Sequence, residues 1–196
     1  MSELRSPIRV AVSGAHGVGK TTFCRDLKAT LESRAGRVAG SVELVTEVAR
    51  TLSAEGIPIN RETAEDQYAL FFEKHISNLF RETQADFVVY DRTILDSIAY
   101  ATTNGNLAPP WIQFTKTVSQ HVLNRIDVYF FIPIEIPLHD DGVRHTDADY
   151  QSQLDNAIMQ VLRECRPSFT IVTGTREQRV HQALNEIYVS RHGTYT

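Results

Sequence analysis

Cysteine and lysine are scarce in this sequence, and each scarcity excludes a class of protein. Only two cysteines, Cys24 and Cys165, occur among 196 residues, and their spacing matches no metal-ligand pattern. A disulfide framework and a zinc–cysteine site are therefore excluded, and free thiols in a reducing cytoplasm are expected. The sequence contains only four lysines but sixteen arginines. Its net charge is nevertheless −4, which disfavours binding along a nucleic-acid backbone.

Long hydrophobic runs and linker-like tracts are also missing. The most apolar stretch, residues 128–138, is interrupted by Glu135 and two prolines, and the N-terminus carries no apolar leader pattern. We therefore expect no membrane-spanning segment. No repeat or low-complexity tract divides the chain, so residues 1–196 are predicted to form one domain.

A phosphate-binding motif stands out among the features that are present. Residues 14–21 read G-x-x-x-x-G-K-T and lie between an apolar run, Ile8–Ser13, and a segment with helical periodicity. Glycines leave main-chain N–H groups open to an anion, and the following helix adds the positive end of its dipole. Lys20 is predicted to bind the β- and γ-phosphates of ATP, and Thr21 is predicted to bind Mg²⁺. The predicted nucleotide contacts are Gly14, Ala15, His16, Gly17, Val18, Gly19, Lys20, Thr21 and Thr22.

Apolar runs alternate with helix-patterned segments along the chain. The runs are residues 8–13, 42–45, 87–90, 127–132 and 169–173. Helical periodicity fills the intervals, and one long helix is predicted over residues 63–84. This alternation predicts an α/β fold with a parallel sheet and helices on both faces. In such a fold ligands bind at the carboxyl ends of the strands, where the polar residues that follow each run should converge.

Two polar pairs follow apolar runs and are candidates for the chemistry. Asp91 ends the third run, where a carboxylate can hold a Mg²⁺-bound water or accept a hydroxyl proton; a helix cap is the competing interpretation. Arg92 is a candidate contact to a substrate or nucleotide phosphate, with a solvated or salt-bridged arginine as the alternative. Glu47 and Arg50 open a predicted acceptor-binding segment, residues 47–84, although a surface ion pair would explain them too.

Two later loops complete the predicted site. Residues 133–147 form a lid-like loop in which Arg144 is placed to neutralise charge on the transferring phosphoryl group. A solvated loop and a metal cluster that includes His139 are the alternatives. Thr175 and Arg176 follow the fifth run and are predicted to frame the adenine. No Asn-Lys-x-Asp motif for guanine is present, so ATP is favoured over GTP.

Four segments of the chain resemble the NadR-like P-loop family, a group of AAA-labelled ATPases that includes nicotinamide-riboside kinase domains. More distantly, the chain is similar to thymidylate and deoxynucleoside kinases. The segments are residues 14–21, 47–50, 91–100 and 141–144, and the resemblance covers nearly the whole chain. It implies a P-loop NTPase fold with five parallel strands in the order 2-3-1-4-5. It also implies phosphorylation of a small molecule with ATP and Mg²⁺.

Two positions in residues 91–100 qualify this resemblance. Asp96 matches the family pattern, although a solvated helix face would explain it equally well. Thr93 departs from the pattern of thymidylate kinases, which often have an aromatic residue after the Asp-Arg pair. No riboside-specific signature is present, so the sequence leaves the acceptor open.

We therefore expect a cytoplasmic phosphotransferase that uses ATP and Mg²⁺ and acts on a small nucleoside, nucleotide or similar hydroxyl acceptor. A nucleotide-dependent switch without an acceptor and a polynucleotide 5′-kinase are the alternatives that the sequence leaves open. A homodimer is compatible with the sequence, which does not fix the oligomeric state.

Overall fold

Strands and helices alternate along the chain in the computed structural model, which describes residues 6–33, 40–57, 63–135, 148–166 and 168–192. The strands are β1 Ile8–Ser13, β2 Val42–Val45, β3 Phe87–Asp91, β4 Val128–Phe131 and β5 Thr170–Ile171. The helices are α1 Lys20–Glu32, α2 Val48–Ala54, α3 Glu65–Phe80, α4 Ile94–Asn104, α5 Pro109–Val122, α6 Ala148–Cys165 and α7 Arg176–His192. A short 3₁₀ turn, Leu123–Arg125, follows α5.

The five strands form one parallel sheet in the order β2-β3-β1-β4-β5, which confirms the predicted fold. In the central register Val10 pairs with Val89 on one side and Val128 on the other. Further along β1, Val12 pairs with Asp91. Because parallel strands end at the same edge, the loop after β1 and the end of β3 are neighbours, although about 80 residues separate them.

The core lies in two layers, one on each face of the sheet. Val10 and Val12 pack towards α1 and α7, whereas Ala11 between them packs towards α3, α4, α5 and α6. Strands covered on both faces read as nearly continuous apolar runs, which is why the sequence pattern located them. A smaller cluster joins α2 to α3 through Val48, Leu52 and Phe71. The sheet is thus a rigid platform whose carboxyl edge positions the site.

Several predicted boundaries were wrong by a few residues. The helix predicted over 63–84 spans only Glu65–Phe80, because Arg81 adopts an extended conformation and begins the connection to β3. The fifth strand is shorter than predicted, and it pairs only with β4 as an edge strand. The fourth strand loses one residue at each end. Among the described helices, none is long and apolar enough to cross a membrane.

Candidate nucleotide-binding site

The loop between β1 and α1 forms a main-chain cradle. Gly14 backs closely on the sheet, and a Cβ atom there would collide with the carbonyl oxygen of Ile132. Gly19 has φ of 91° and occupies the N-cap position of α1, a conformation that residues with side chains rarely adopt. The first N–H groups of the helix therefore open towards the loop, where they have no partner within the helix.

Lys20 lies beneath this cradle with only 4% of its surface exposed. Its ammonium group donates a hydrogen bond to the carbonyl oxygen of Ala15 at 2.5 Å. Burial, followed by the nearby Arg92 guanidinium, lowers the pKa of Lys20 to about 7, although Asp96 and Asp91 act in the opposite direction. A buried cation with a depressed pKa gains stability from an added anion, so the cradle suits a polyphosphate.

The two residues predicted to hold the metal lie in direct contact. The Thr21 hydroxyl donates a hydrogen bond to Asp91 Oδ2 at 2.6 Å. Asp91 Oδ1 is buried and makes no hydrogen bond with any group in the described part of the chain. A hydroxyl and a carboxylate oxygen are hard ligands of the kind that Mg²⁺ takes, and an orphaned buried oxygen fits a metal-bound water. These residues therefore fit Mg²⁺.

This pair would not hold a metal by protein ligands alone. No group of three or more His, Cys, Asp and Glu side chains within the described ranges is arranged to bind a cation. Mg²⁺ at phosphate-transfer sites is commonly bound by one or two protein groups together with substrate phosphates. The arrangement at Thr21 and Asp91 is of that type.

Arg92 links Glu47 to the cradle in a strained conformation. Its φ of 79° is the only positive value at a non-glycine position in the described ranges, at a typical cost of about 1 kcal/mol. The guanidinium donates to Glu47 Oε1 at 2.7 Å and reaches the Gly14 carbonyl oxygen at 3.4 Å. It also lies over the ring of Tyr100, 5.3 Å from the centroid. Arg92 therefore has its charge fixed at the rim of the cradle.

Glu47 and Arg50 form the outer part of the same charged group. Glu47 occupies the N-cap position of α2, and its second oxygen accepts from Arg50 Nε at 3.3 Å. Burial alone would raise the pKa of Glu47, but Arg92 and Lys20 hold it below the ordinary value. The Arg50 side chain is 59% exposed, so it lies at the mouth of the crevice. The predicted acceptor residues therefore reach the phosphate cradle through Arg92.

The alternative interpretation that Asp96 lies on a solvated helix face is wrong. The residue is 1% exposed, and its Oδ2 accepts from the Ser13 hydroxyl at 2.5 Å and from the Thr93 backbone N–H at 2.9 Å. Its Oδ1 faces Arg92 Nη1 at 3.4 Å. Burial raises the pKa of Asp96, against the lowering effect of Arg92. The Tyr129 hydroxyl completes the network by contacts with Ser13 and Thr93, so Asp96 supports Arg92 from inside the fold.

Sequence reasoning missed two residues that contact the cradle from outside the motif. Gln151 on α6 donates to the carbonyl oxygen of His16 at 2.7 Å, and Arg179 on α7 donates to that of Val18 at 2.9 Å. Gln151 lies three residues before Leu154 on the buried stripe of α6, and a polar residue on that stripe was the available signal. Arg179 gave no comparable signal.

The two residues predicted to frame the adenine, Thr175 and Arg176, form hydrogen bonds with other side chains of the protein. Thr175 precedes α7 and exchanges hydrogen bonds with Gln178, as a helix cap does. Arg176 is the first residue of α7 rather than part of a turn, and its guanidinium pairs with the Asp26 carboxylate at 2.7 and 2.9 Å. Its side chain is 68% exposed, so the pair lies on the surface between α7 and α1. Adenine binding by these residues stays a prediction.

The remaining predicted residues are placed as follows. His16 is half-buried, and its ring lies 5.9 Å from that of Tyr150 at the start of α6. Thr22 is exposed on the first turn of α1. Arg144 and His139 belong to residues 136–147, which lie outside the described residues together with most of the predicted lid.

Solved structures with the same fold include two of NadR and one of a thymidylate kinase. NadR in complex with NR is 20% identical over 93% of this chain and 51% of its own, with a TM-score of 0.71. NadR with NAD and AMP-PNP is 17% identical over 97% and 51%, with a TM-score of 0.70. The Ehrlichia chaffeensis thymidylate kinase is 14% identical over 93% and 100%, with a TM-score of 0.63.

At these identities the likeness shows the fold, and this chain spans about half the length of the NadR chains. No curated protein matches the sequence. A family model described as "AAA domain" matches residues 9–179, from the first strand to the arginine that contacts the cradle. Because this match covers most of its length, the chain belongs to the AAA-domain family.

Proposed function

We propose that this protein transfers the γ-phosphoryl group of ATP to a hydroxyl group of a small nucleoside, nucleotide or similar acceptor, with Mg²⁺. The observation that carries the proposal is the 2.6 Å contact between Thr21 and Asp91, which brings the two expected metal-binding groups together beside the cradle. Similarity to NadR solved with NR or with NAD and AMP-PNP, and to a thymidylate kinase, supports this choice of donor and acceptor. The buried free thiols Cys24 and Cys165 suit a cytoplasmic enzyme.

The donor is held by the main chain and by Lys20. The N–H groups of residues 17–21 bind phosphate oxygens, and Lys20 regains a full positive charge beside them. Mg²⁺ held by Thr21, and by Asp91 through water, would neutralise charge on the phosphate oxygens. Thr175 and Arg176 lie at the start of α7, where they border the adenine in this proposal. Buried donors of fixed geometry contribute most where charge develops.

The acceptor is held from the opposite side by Glu47, Arg50 and Arg92. The ionised Glu47 carboxylate orients the acceptor hydroxyl and takes its proton as the new bond forms. The acceptor oxygen bonds to the γ-phosphorus, the bond to the β–γ bridging oxygen breaks, and ADP leaves. Arg92, and Arg144 from the predicted lid, offset the negative charge, while Arg50 binds an anionic group of the acceptor. Positioning and electrostatics supply most of the rate enhancement.

A panel of acceptors with γ-labelled ATP tests this proposal. Nucleosides, nucleoside monophosphates and related ribosides are incubated with the protein, labelled ATP and Mg²⁺, and the products are separated. We expect one acceptor class to become labelled, and Lys20→Ala to remove the label. Slow release of labelled inorganic phosphate with every acceptor would contradict a kinase and favour a nucleotide-dependent switch.

A further inference from the structure

Side chains from several segments hold the carbonyl oxygens of the cradle from outside. The donor and acceptor pairs are Arg92 to Gly14, Lys20 to Ala15, Gln151 to His16, and Arg179 to Val18. Lys20 and Arg92 belong to the proposed chemistry. Gln151 and Arg179 come from α6 and α7, and nothing in the phosphate-binding motif requires them.

Peptide geometry gives these two contacts a consequence on the opposite side of the loop. Within a trans peptide unit the C=O bond of one residue and the N–H bond of the next point in opposite directions. All peptide bonds in the described ranges are trans. Because Arg179 holds the Val18 oxygen towards α7, the N–H of Gly19 faces away from α7, into the cradle. Gln151 holds the His16 oxygen towards α6 and turns the N–H of Gly17 inwards in the same way.

Both side chains are themselves held rigidly. Gln151 is 3% exposed on the packed face of α6, and Arg179 is 7% exposed beside the buried Val180 on α7. The second arm of the Arg179 fork donates to Glu135 Oε2 at 2.6 Å. That carboxylate also accepts from the Gly174 backbone N–H at 3.0 Å. A buried arginine with two fixed partners loses little freedom when a ligand arrives.

We propose that Gln151 and Arg179 are positioning residues that set the N–H groups of Gly17 and Gly19 towards phosphate before the nucleotide binds. The inference rests on the proposed nucleotide site but not on the identity of the acceptor. Neither side chain touches the nucleotide, since each acts through one peptide unit. Glycine backbones have the largest conformational freedom to lose on binding, so external clamps reduce the ordering cost that the nucleotide must offset.

Calorimetry of Mg²⁺–AMP-PNP binding to the full chain tests the inference with matched variants. Gln151→Met and Arg179→Met remove the clamps, while Gln153→Met and Arg163→Met change exposed residues of the same types on α6. We expect each clamp variant to weaken binding by about tenfold, because one glycine N–H is then no longer preset to donate to a charged phosphate oxygen. The controls should bind as the parent does.

Hydrogen exchange separates positioning from a general loss of structure. In the nucleotide-free variants we expect faster amide exchange in residues 14–21, with protection of α6 and α7 unchanged. Folded clamp variants with parental affinity and parental exchange would overturn the inference. If Arg179→Met fails to fold, Gln151→Met decides the outcome alone. A parent protein that binds no AMP-PNP would refute the proposed function. The hydrogen-exchange measurement would still show whether Gln151 and Arg179 order residues 14–21.

Discussion

The proposed donor and acceptor sides of the crevice use different chemical groups. On the proposed donor side one contiguous segment, residues 14–21, offers main-chain groups, and Lys20 beneath it is almost completely buried. On the proposed acceptor side the candidate binding groups are the long side chains of Glu47, Arg50 and Arg92, which come from two separate segments. Arg50 is mostly exposed, whereas Arg92 is buried against the cradle.

This difference follows from what each side has to recognise. The triphosphate is the same in every nucleoside triphosphate, so a fixed backbone cradle suffices and its geometry can be preset. Acceptors vary, and an exposed charged side chain such as Arg50 can reorient at low energetic cost, since an exposed ion pair contributes at most about 1 kcal/mol. We therefore expect substitutions on the donor side to abolish the reaction and substitutions at the acceptor mouth to adjust it.

The largest expected effect is the loss of Lys20. Lys20→Ala removes the only described ammonium group buried in the cradle, and phosphoryl transfer should fall by roughly a hundredfold or more. The fold should persist, because a buried cation with a depressed pKa does not stabilise the nucleotide-free protein. Steady-state kinetics and thermal unfolding of the same preparation measure both quantities. Undiminished turnover would show that the donor side is misassigned.

The next effect concerns Arg92, which joins the two sides. Arg92→Met removes the guanidinium paired with the buried Asp96 carboxylate, which should lower the free energy of unfolding by about 3 kcal/mol. Adding Asp96→Asn to this variant should restore part of the loss, because the amide carries no charge. Urea denaturation of both variants decides the point. Equal instability of the single and double variants would contradict the electrostatic explanation.

A smaller effect is proton uptake on nucleotide binding. The pKa of Lys20 is about 7 in the free protein, and phosphates should return it towards the ordinary lysine value. Well above pH 7 most of Lys20 is neutral before binding, so most of one proton should be taken up, and well below pH 7 the uptake should be small. Calorimetry in buffers of different ionisation enthalpy measures the uptake. Lys20→Arg, which keeps its charge, should show none at pH 8, and a parent protein without uptake would contradict the buried-lysine account.

The smallest expected effect lies at the mouth. Arg50→Met should raise the KM for the acceptor by about threefold and leave AMP-PNP affinity unchanged, because its guanidinium is exposed and pairs with Glu47 rather than with a group of the cradle. Kinetics with varied acceptor and calorimetry with the nucleotide analogue separate the two quantities. A larger effect on nucleotide binding than on acceptor KM would remove the distinction between the two sides.

The sequence predicted the fold and the main-chain loop between β1 and α1 because both depend on local patterns; nucleotide binding by that loop stays a prediction. Apolar runs covered on both faces located the strands, and the glycine-rich motif located the cradle. The boundaries of α3 and β5 were less well predicted, since tertiary contacts decide where a helix or an edge strand ends.

The residues that support the site from outside the motif could not be predicted from local patterns. Asp96 on α4 contacts Ser13 of β1 across 83 positions of sequence, and Arg179 contacts Val18 across 161 positions. Neither contact produces a periodic pattern in the sequence. The pairing of Arg176 with Asp26 is a contact of the same long-range type, and sequence position alone suggested the adenine for that arginine.

A crystal structure with AMP-PNP and Mg²⁺ tests the central claim most directly. We expect the β- and γ-phosphates within hydrogen-bonding distance of the N–H groups of Gly17 and Gly19 and of Lys20 Nζ. Mg²⁺ should lie on Thr21 Oγ1, with a bound water on Asp91. A nucleotide bound elsewhere on the protein, with Thr21 and Asp91 still bonded only to each other, would contradict the account.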